Sequence, residues 1–255
     1  MAPQQLASAA APITSPYTDP PVRTMPEVID RLERLQAYAE AHELRGQHDG
    51  VACFSALYQR GAQRIWEAIG SGALPDPGFI ALLCVELANR YFRAIWASFL
   101  SPSDVPDAWA VLFDRRSDPH VTQMQFVAAG VNAHLRLDLA VAAANTCARL
   151  NAPLAAGQGD ASYREVRRIV AEELEKFRYG FEITWRRLVD GAVLDRVTGK
   201  IDDWLATATF GEDLAWEGAE RLWRLRRRGK DEVALIAELD QAAARAGRAI
   251  LVPVL

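Results

Sequence analysis

Residues 127–145 read Val-Ala-Ala-Gly-Val-Asn-Ala-His-Leu-Arg-Leu-Asp-Leu-Ala-Val-Ala-Ala-Ala-Asn, and this stretch decides the fold. Most of its positions are small or aliphatic, and a helix that is apolar around most of its circumference belongs in a protein interior. The same stretch holds Asn132, His134, Arg136 and Asp138. Because polar groups are costly to bury without partners, each of these side chains needs one. We therefore expect a buried central helix with a polar centre.

The composition narrows the classes of partner. Half of the 255 residues are hydrophobic, so the chain can bury a substantial core. The 29 basic and 33 acidic residues give a net charge of −4, which provides no basic surface for nucleic acid. No stretch of about 20 residues lacks charged or polar breaks, so we expect no membrane span. Cys53, Cys84 and Cys147 are odd in number and far apart, which favours free thiols and a cytoplasmic location.

Helical periodicity runs through nearly the whole chain after Thr24. Residues 1–23 are rich in proline, alanine and serine, which predicts a disordered tail. No strand alternation of useful length is present, so residues 24–255 are predicted to form a single all-helical domain. The expected fold is an all-α multi-helix bundle around the central helix. The predicted helices cover residues 24–44, 51–69, 79–100, 106–113, 120–150, 162–189, 200–228 and 231–246.

His134 and Asp138 form the first candidate site. At 100° per residue these side chains lie about 40° apart and one turn along, so they share a helix face. In one interpretation Asp138 fixes the tautomer of His134, which then acts as a general base. In a second, both residues bind a metal ion together with ligands from elsewhere. In a third, they form a hydrogen-bonded pair with a structural role. Asn132 lies on the opposite face and needs a different neighbour.

The second candidate site is the segment from Glu86 to Arg93 in the third predicted helix. Glu86 and Arg90 have the spacing of an intrahelical salt bridge, and Asn89 and Tyr91 lie beside them. The surrounding apolar residues indicate that this helix is largely buried as well. Since buried ion pairs stabilise less than well-packed apolar residues do, their presence favours a polar cavity. Tyr58 and Tyr91 could donate hydrogen bonds into such a cavity, although packing alone also explains them.

Three functions remain compatible with these residues. In the preferred hypothesis, an enzyme binds a hydrophobic small molecule and uses acid–base chemistry of the cyclase, lyase or isomerase type. His134 and Asp138 would be catalytic, and the substrate, for example a polyketide- or terpenoid-like intermediate, would contact the five residues Glu86, Asn89, Arg90, Tyr91 and Asn132. One alternative is a metal-dependent enzyme that uses His134, Asp138 and Glu86. The other is a non-catalytic ligand-binding or scaffold protein. The sequence contains no nucleotide- or dinucleotide-binding motif, so no cofactor is assigned.

Several segments together resemble one family. They are Asp49-Gly-Val-Ala-Cys-Phe54, Glu86-Leu-Ala-Asn-Arg-Tyr-Phe92, Gly130-Val-Asn-Ala-His-Leu-Arg-Leu-Asp-Leu139 and Ala215-Trp-Glu-Gly-Ala-Glu-Arg-Leu-Trp223. In this order they are similar to DUF5995, a family of helical proteins of uncharacterised function, from about residue 25 to the C-terminus.

The resemblance is closest for an element of the form Gly-x-Asn-Ala-His-Ile-x-x-Asp-Leu. It departs where the family has Asp-Tyr-x-x-Val-Asn, because here Tyr163 and Val166 are followed by Arg167. Leu87 also replaces an aromatic residue of the family's Phe-Ala-Asn-Arg-Tyr element. The resemblance implies a helical fold with a polar centre and implies no particular reaction.

Overall fold

The computed structural model describes residues 20–41, 48–152, 158–185 and 191–253. Within these ranges the fold is all-α and contains no strand. The helices are α1 (Met25–Ala41), α2 (Gly50–Gly70), α3 (Pro77–Leu100), α4 (Asp107–Phe113), α5 (Gln123–Ala133), α6 (Leu139–Leu150), α7 (Gln158–Trp185), α8 (Gly191–Arg227) and α9 (Val233–Ile250). A short 3-10 turn, Pro102–Asp104, connects α3 to α4. The predicted all-helical fold is confirmed.

Several helices begin where a side chain caps the backbone. The Asp49 carboxylate accepts from the N–H groups of Val51 and Ala52 at the start of α2. Its second oxygen binds the Arg116 guanidinium at 2.5–2.8 Å, which joins α2 to the loop before α5. Thr122 and Gln125 form a reciprocal capping box at the start of α5. Each cap satisfies N–H groups that the first turn of a helix leaves without partners.

The segment before α1 is docked against the bundle. Val22 is buried, and its N–H and C=O groups both bind the Asn89 side chain of α3 at 2.9 Å. Pro20 accepts a hydrogen bond from Arg31 of α1 at 2.7 Å. Of the predicted N-terminal tail, residues 20–23 therefore belong to the packed structure, and residues 1–19 lie outside the described ranges.

The central helix consists of α5 and α6 joined by one π-helical turn at His134–Asp138. The N–H of Leu139 donates to the carbonyl of His134, five residues earlier, in place of the usual four. Such single π turns are frequent at functional sites. This continuous helix is packed against α2, α3, α8 and α9. It is therefore the core of the bundle.

Among the described residues, one helix is long and apolar enough to cross a membrane. It is Gln123–Leu150, and 89% of its most apolar window is buried inside the protein. That burial is what a core helix shows, so the part of the chain that the structure describes contains no clear membrane span.

Gly130 permits the closest contact between α5 and α2. A Cβ atom at this position would lie 2.4 Å from Cδ2 and 2.5 Å from Cγ of Phe54. Both helices are buried here, and the Phe54 ring also contacts Tyr91 and Trp109. The ring therefore has little room to move, and only glycine permits this approach.

We predict that Gly130→Ala lowers the free energy of unfolding by about 1–3 kcal/mol, because the added methyl group overpacks this contact. Gly180→Ala is the matched control, since an added Cβ would meet no atom within 4 Å there. On an exposed helix position the same change should raise stability by up to about 1 kcal/mol. Urea denaturation followed by circular dichroism measures both variants. Equal effects of the two substitutions would contradict the proposed contact.

Candidate functional site

The Asp138 carboxylate is the most buried charge-bearing group of the central helix, with only 1% of its side chain exposed. Its Oδ1 accepts from Nε of Arg90 at 2.9 Å, and its Oδ2 accepts from Nε1 of Trp109 at 2.9 Å. A buried carboxylate needs a counter-ion and hydrogen bonds to offset its lost hydration. Arg90 and Trp109 supply both, so Asp138 joins α3 and α4 to the central helix.

Trp109 is held in place by a cap from a distant part of the chain. The Asp240 carboxylate of α9 accepts from the N–H groups of Asp107 and Ala108 at 2.9 and 2.8 Å, at the start of α4. Burial raises the pKa of Asp240 above its usual value, and these hydrogen bonds oppose that effect. Helix α4 is thereby fixed with the Trp109 indole N–H directed at Asp138.

His134 is close to Asp138 but is not hydrogen-bonded to it. Nδ1 of His134 lies 3.8 Å from Oδ2 of Asp138, beyond hydrogen-bonding distance, and this nitrogen has no partner. The predicted hydrogen bond from Asp138 to the imidazole is therefore not present in this arrangement, and the carboxylate binds Arg90 and Trp109 instead. The ring is surrounded instead by the aromatic rings of Tyr58, Phe54 and Trp109, with centroids at 4.5, 5.7 and 6.4 Å.

The predicted Glu86–Arg90 salt bridge is not present. Arg90 turns to the more deeply buried carboxylate of Asp138, whereas Glu86 is 28% exposed. Oε1 of Glu86 instead accepts from Nδ2 of Asn145 at 2.7 Å and lies 3.9 Å from Nη2 of Arg93. Glu86 therefore joins α3 to α6.

The other predicted substrate-binding residues have structural partners. Asn89 holds Val22. The hydroxyls of Tyr91 and Ser55 lie 2.9 Å apart, and Tyr91 is fully buried. Nδ2 of Asn132 donates to the carbonyl of Ala243 in α9 at 2.8 Å. The expected convergence of all these residues on one cavity is thus wrong, since only His134 lines the apolar cavity described next.

A partly enclosed apolar cavity of about 90 Å³ lies between α2, α3, the central helix and α7. We call it the His134 cavity. Aliphatic and aromatic side chains form most of its wall. The polar side chains in that wall are those of Tyr58, Cys84, His134, Tyr163, Arg167 and Glu173. Its volume is below the roughly 300–1,000 Å³ of typical small-molecule sites, so it can hold only a compact guest.

Tyr58 is the second polar group without a partner in this region. Its hydroxyl is buried and makes no hydrogen bond. Burial raises the pKa of Tyr58 well above 10.0, and the nearby Cys84 and Asp138 add to this effect. The phenol therefore keeps its proton at neutral pH and can act as a hydrogen-bond donor. Sequence patterns alone could not separate Tyr58 from an ordinary core aromatic, and they gave no signal for Trp109.

Arg167 occupies the position where the chain departs from the family-like element, and it lies in the wall of the His134 cavity. Tyr163 and Val166 line the same wall. Arg167 and His134 therefore belong to the wall of the same cavity. Glu173, six residues further along α7, is paired with Lys176 at 2.6 Å and Arg64 at 3.6 Å.

The predicted metal ligands do not form a metal-binding set. Within the described residues, no group of three or more His, Cys, Asp and Glu side chains is arranged to hold an ion. Asp138 is bound by Arg90 and Trp109, and Glu86 is bound by Asn145. The geometry therefore does not fit a metal on His134, Asp138 and Glu86.

We predict that Asp138→Asn lowers the free energy of unfolding by about 3 kcal/mol, because it leaves a largely buried guanidinium without its counter-ion. Asp30→Asn is the matched control, since Asp30 pairs with Arg34 at 3.2 Å on the exposed surface of α1. That change should cost less than about 1 kcal/mol. Chemical denaturation measures both; a loss for Asp138→Asn no larger than for Asp30→Asn would contradict the role given to Asp138.

We also predict that Cys84 is unreactive in the native protein. Burial raises the pKa of its thiol from 9.0 to about 12. At pH 8 the reactive thiolate is then roughly one part in ten thousand, compared with about a tenth for an unperturbed thiol. Iodoacetamide labelling followed by mass spectrometry should therefore modify Cys84 only after unfolding.

The raised pKa of Cys84 also predicts how stability depends on pH. The native state holds this proton more tightly than the unfolded chain does, so the stabilisation is complete below pH 9.0 and declines as the pH rises towards 12. The loss of stability between pH 9 and 11 should be smaller in Cys84→Ala than in the wild type. Equal losses in the two proteins, or rapid native labelling at pH 8, would contradict the prediction.

Comparison with known proteins gives one match. No curated protein and no solved structure matches the chain. Residues 25–253 match DUF5995, a family of unknown function. Since this match covers nearly the whole chain, the protein belongs to the DUF5995 family.

Proposed function

We propose that the protein is a small-molecule enzyme that uses His134 and Tyr58 for acid–base chemistry on a compact, mostly apolar substrate. One observation carries the proposal. Two buried polar atoms, Nδ1 of His134 and the hydroxyl oxygen of Tyr58, have no hydrogen-bond partner, and both side chains line the same apolar cavity. Groups of this kind need an explanation in a native structure, and a catalytic role is one such explanation.

The energetic cost of burying these two atoms without partners supports a role other than packing. An unpartnered buried polar atom costs about 1–3 kcal/mol, so Phe and Leu would stabilise the core better at these two positions. Neighbouring polar groups, by contrast, are hydrogen-bonded: Asp138, Tyr91 and Ser55 all have partners. Oδ1 of Asn132 is also buried without a partner among the described residues, but Asn132 does not line the cavity. The unpartnered atoms of His134 and Tyr58 belong to adjacent rings in one cavity wall.

The wall of the cavity limits the substrate class. Nearly all of its surface is apolar, and its volume is about 90 Å³. A compact ring or short chain with one carbonyl or hydroxyl group fits these properties. A polyketide- or terpenoid-like molecule would place only one end of its skeleton there. The substrate therefore needs few polar atoms, and those atoms should lie near His134 and Tyr58.

Tyr58 and His134 can each perform one part of a proton transfer. Tyr58 keeps its proton because burial raises its pKa, so it can donate a hydrogen bond to a carbonyl oxygen as negative charge develops there. The His134 imidazole can accept the proton from the adjacent carbon and return it elsewhere. Such proton abstraction beside a carbonyl is a step common to isomerases, cyclases and many lyases. Asp138, 3.8 Å from the ring, would stabilise the protonated imidazole by charge.

We predict that the protein accelerates exchange of the α-protons of cyclopentanone in D2O, measured by the loss of their NMR signal. His134→Gln should reduce the acceleration at least tenfold, since general-base catalysis typically contributes about 10²–10⁴. Tyr58→Phe should also reduce it. Because the Tyr58 hydroxyl has no partner, this variant should unfold with equal or up to about 1 kcal/mol greater free energy.

His120→Gln provides the matched control, because His120 is exposed on the turn before α5. It should leave exchange unchanged. A second control compares the binding of cyclopentanone with that of cyclopentane, which has the same ring without the carbonyl oxygen. Equal exchange in the wild type and His134→Gln, with both folded, would reject catalysis by His134 and favour a non-catalytic binding or scaffold protein.

A further inference from the structure

A second cavity is lined by Asp138, and nothing in the proposed reaction uses it. It has a volume of about 280 Å³ and lies along the C-terminal turns of α3. We call it the Arg90 cleft. Its polar wall consists of Arg90, Arg93, Ser101, Asp104 and Asp138, and its apolar wall includes Trp96, Leu100 and Pro106. Asp138 is close to both cavities, since it lines this cleft and lies 3.8 Å from the His134 ring.

Within the described part of the chain, the guanidinium of Arg90 is hydrogen-bonded through Nε but not through its two terminal amino groups. Its Nε donates to Asp138, and its side chain is only 16% exposed. Among the described residues, no other group binds this guanidinium, and the Arg90 side chain lines the cleft. Two parallel N–H groups of this kind match the two oxygens of a carboxylate. Asp138 thereby fixes Arg90 in an orientation suited to bind an anion.

Arg93 adds a second cation at the same wall. It lies one turn beyond Arg90 on α3 and is 62% exposed. Its Nε donates to the carbonyl of Asn89 at 3.2 Å, and its Nη2 lies 3.9 Å from Glu86. The longer of these contacts is a weak ion pair at an exposed position, so Arg93 can turn to a ligand at little cost.

The apolar part of the cleft wall indicates which chemical group should be attached to the anion. Trp96 and Leu100 are 45% and 58% exposed, which is high for such large apolar side chains. They lie in the wall that the arginines share, so an apolar group beside the carboxylate would bury their surface. The charges in the wall balance, because Asp104 and Asp138 offset the two arginines. Binding therefore depends on short-range hydrogen bonds and on the apolar contact, with little long-range attraction.

We propose that the Arg90 cleft is a binding site for a compact carboxylate that bears an apolar group, such as an aromatic or branched aliphatic acid. The carboxylate binds the terminal amino groups of Arg90 and the guanidinium of Arg93, and the apolar group lies on Trp96. A ligand here also contacts the Arg90–Asp138 pair, so its binding changes the surroundings of the Trp109 indole.

Benzoate tests this proposal, and benzamide is the uncharged probe of the same shape. The readout is the indole N–H signals in a ¹H–¹⁵N spectrum of the full chain, with Trp96 assigned from a Trp96→Phe spectrum and Trp109 from Trp109→Phe. Benzoate should shift the signals of Trp96 and Trp109, and benzamide should bind at least about tenfold more weakly, a difference of about 1.4 kcal/mol. Equal binding of the two probes would overturn the proposal.

Three variants locate the site. Arg93→Gln should weaken benzoate binding about tenfold without loss of fold, because its side chain is exposed. Arg90→Lys keeps a charge beside Asp138 but removes the paired N–H groups, so it should also weaken binding. Asp104→Asn should strengthen binding several-fold because it removes a repulsive charge. Unchanged affinity in Arg93→Gln and Asp104→Asn would place the carboxylate elsewhere and overturn the assignment.

Two controls separate this site from other effects. Arg221→Gln removes an exposed arginine that pairs with Glu238 far along the chain, and it should leave benzoate binding unchanged. If it weakens binding as much as Arg93→Gln does, benzoate adsorbs to arginines in general and the proposal fails. His134→Gln should retain benzoate binding, so failure of the proposed reaction and failure of this site are distinguishable.

Discussion

The hydrogen bonds and ion pair at Asp138 are the constraint on which the rest of this structure depends. A carboxylate with 1% exposure is tolerable only if the fold delivers donors to both oxygens. Arg90 comes from α3, and Trp109 comes from α4, which Asp240 of α9 caps. The central helix is therefore joined to α3 and α4 through one side chain, and α4 is in turn capped by α9. Asp138 lines the charged Arg90 cleft and lies 3.8 Å from His134, which lines the apolar His134 cavity.

The same constraint explains why His134 lacks a partner. Arg90 and Trp109 hold the carboxylate in a position in which its Oδ2 is 3.8 Å from the imidazole nitrogen, and this nitrogen is left without a hydrogen bond. Arg90 binds Oδ1 of Asp138, whereas the oxygen near His134 is Oδ2, so a change at Arg90 would reach His134 through the charge of Asp138. A ligand in the Arg90 cleft would contact this Arg90–Asp138 pair. The two proposed sites are thus connected through Asp138, although each rests on its own observations.

The sequence was sufficient to predict the helices but not to predict which groups the polar residues bind. Periodicity and caps such as Asp49 identified the helical segments, and the apolar surroundings of residues 127–145 identified the core helix. The pairing of Glu86 with Arg90 failed because spacing along one helix says nothing about a more buried carboxylate on another. Trp109 was missed, and Tyr58 was named only as a possible donor that packing also explained, because a buried aromatic donor has the same pattern as a core aromatic. The π turn leaves no mark in the apolar pattern either.

Three residues of the Gly130–Leu139 element have structural roles. Gly130 admits Phe54 between α2 and α5, Asn132 holds α9 through Ala243, and Asp138 binds Arg90 and Trp109. These contacts account for the fold without any ligand, so they cannot by themselves support a reaction. His134 differs, because it sits among three aromatic rings, lines a cavity and has an unpartnered nitrogen. His134 and its neighbour Tyr58 are therefore the residues that favour chemistry, and their replacement should affect proton transfer far more than stability.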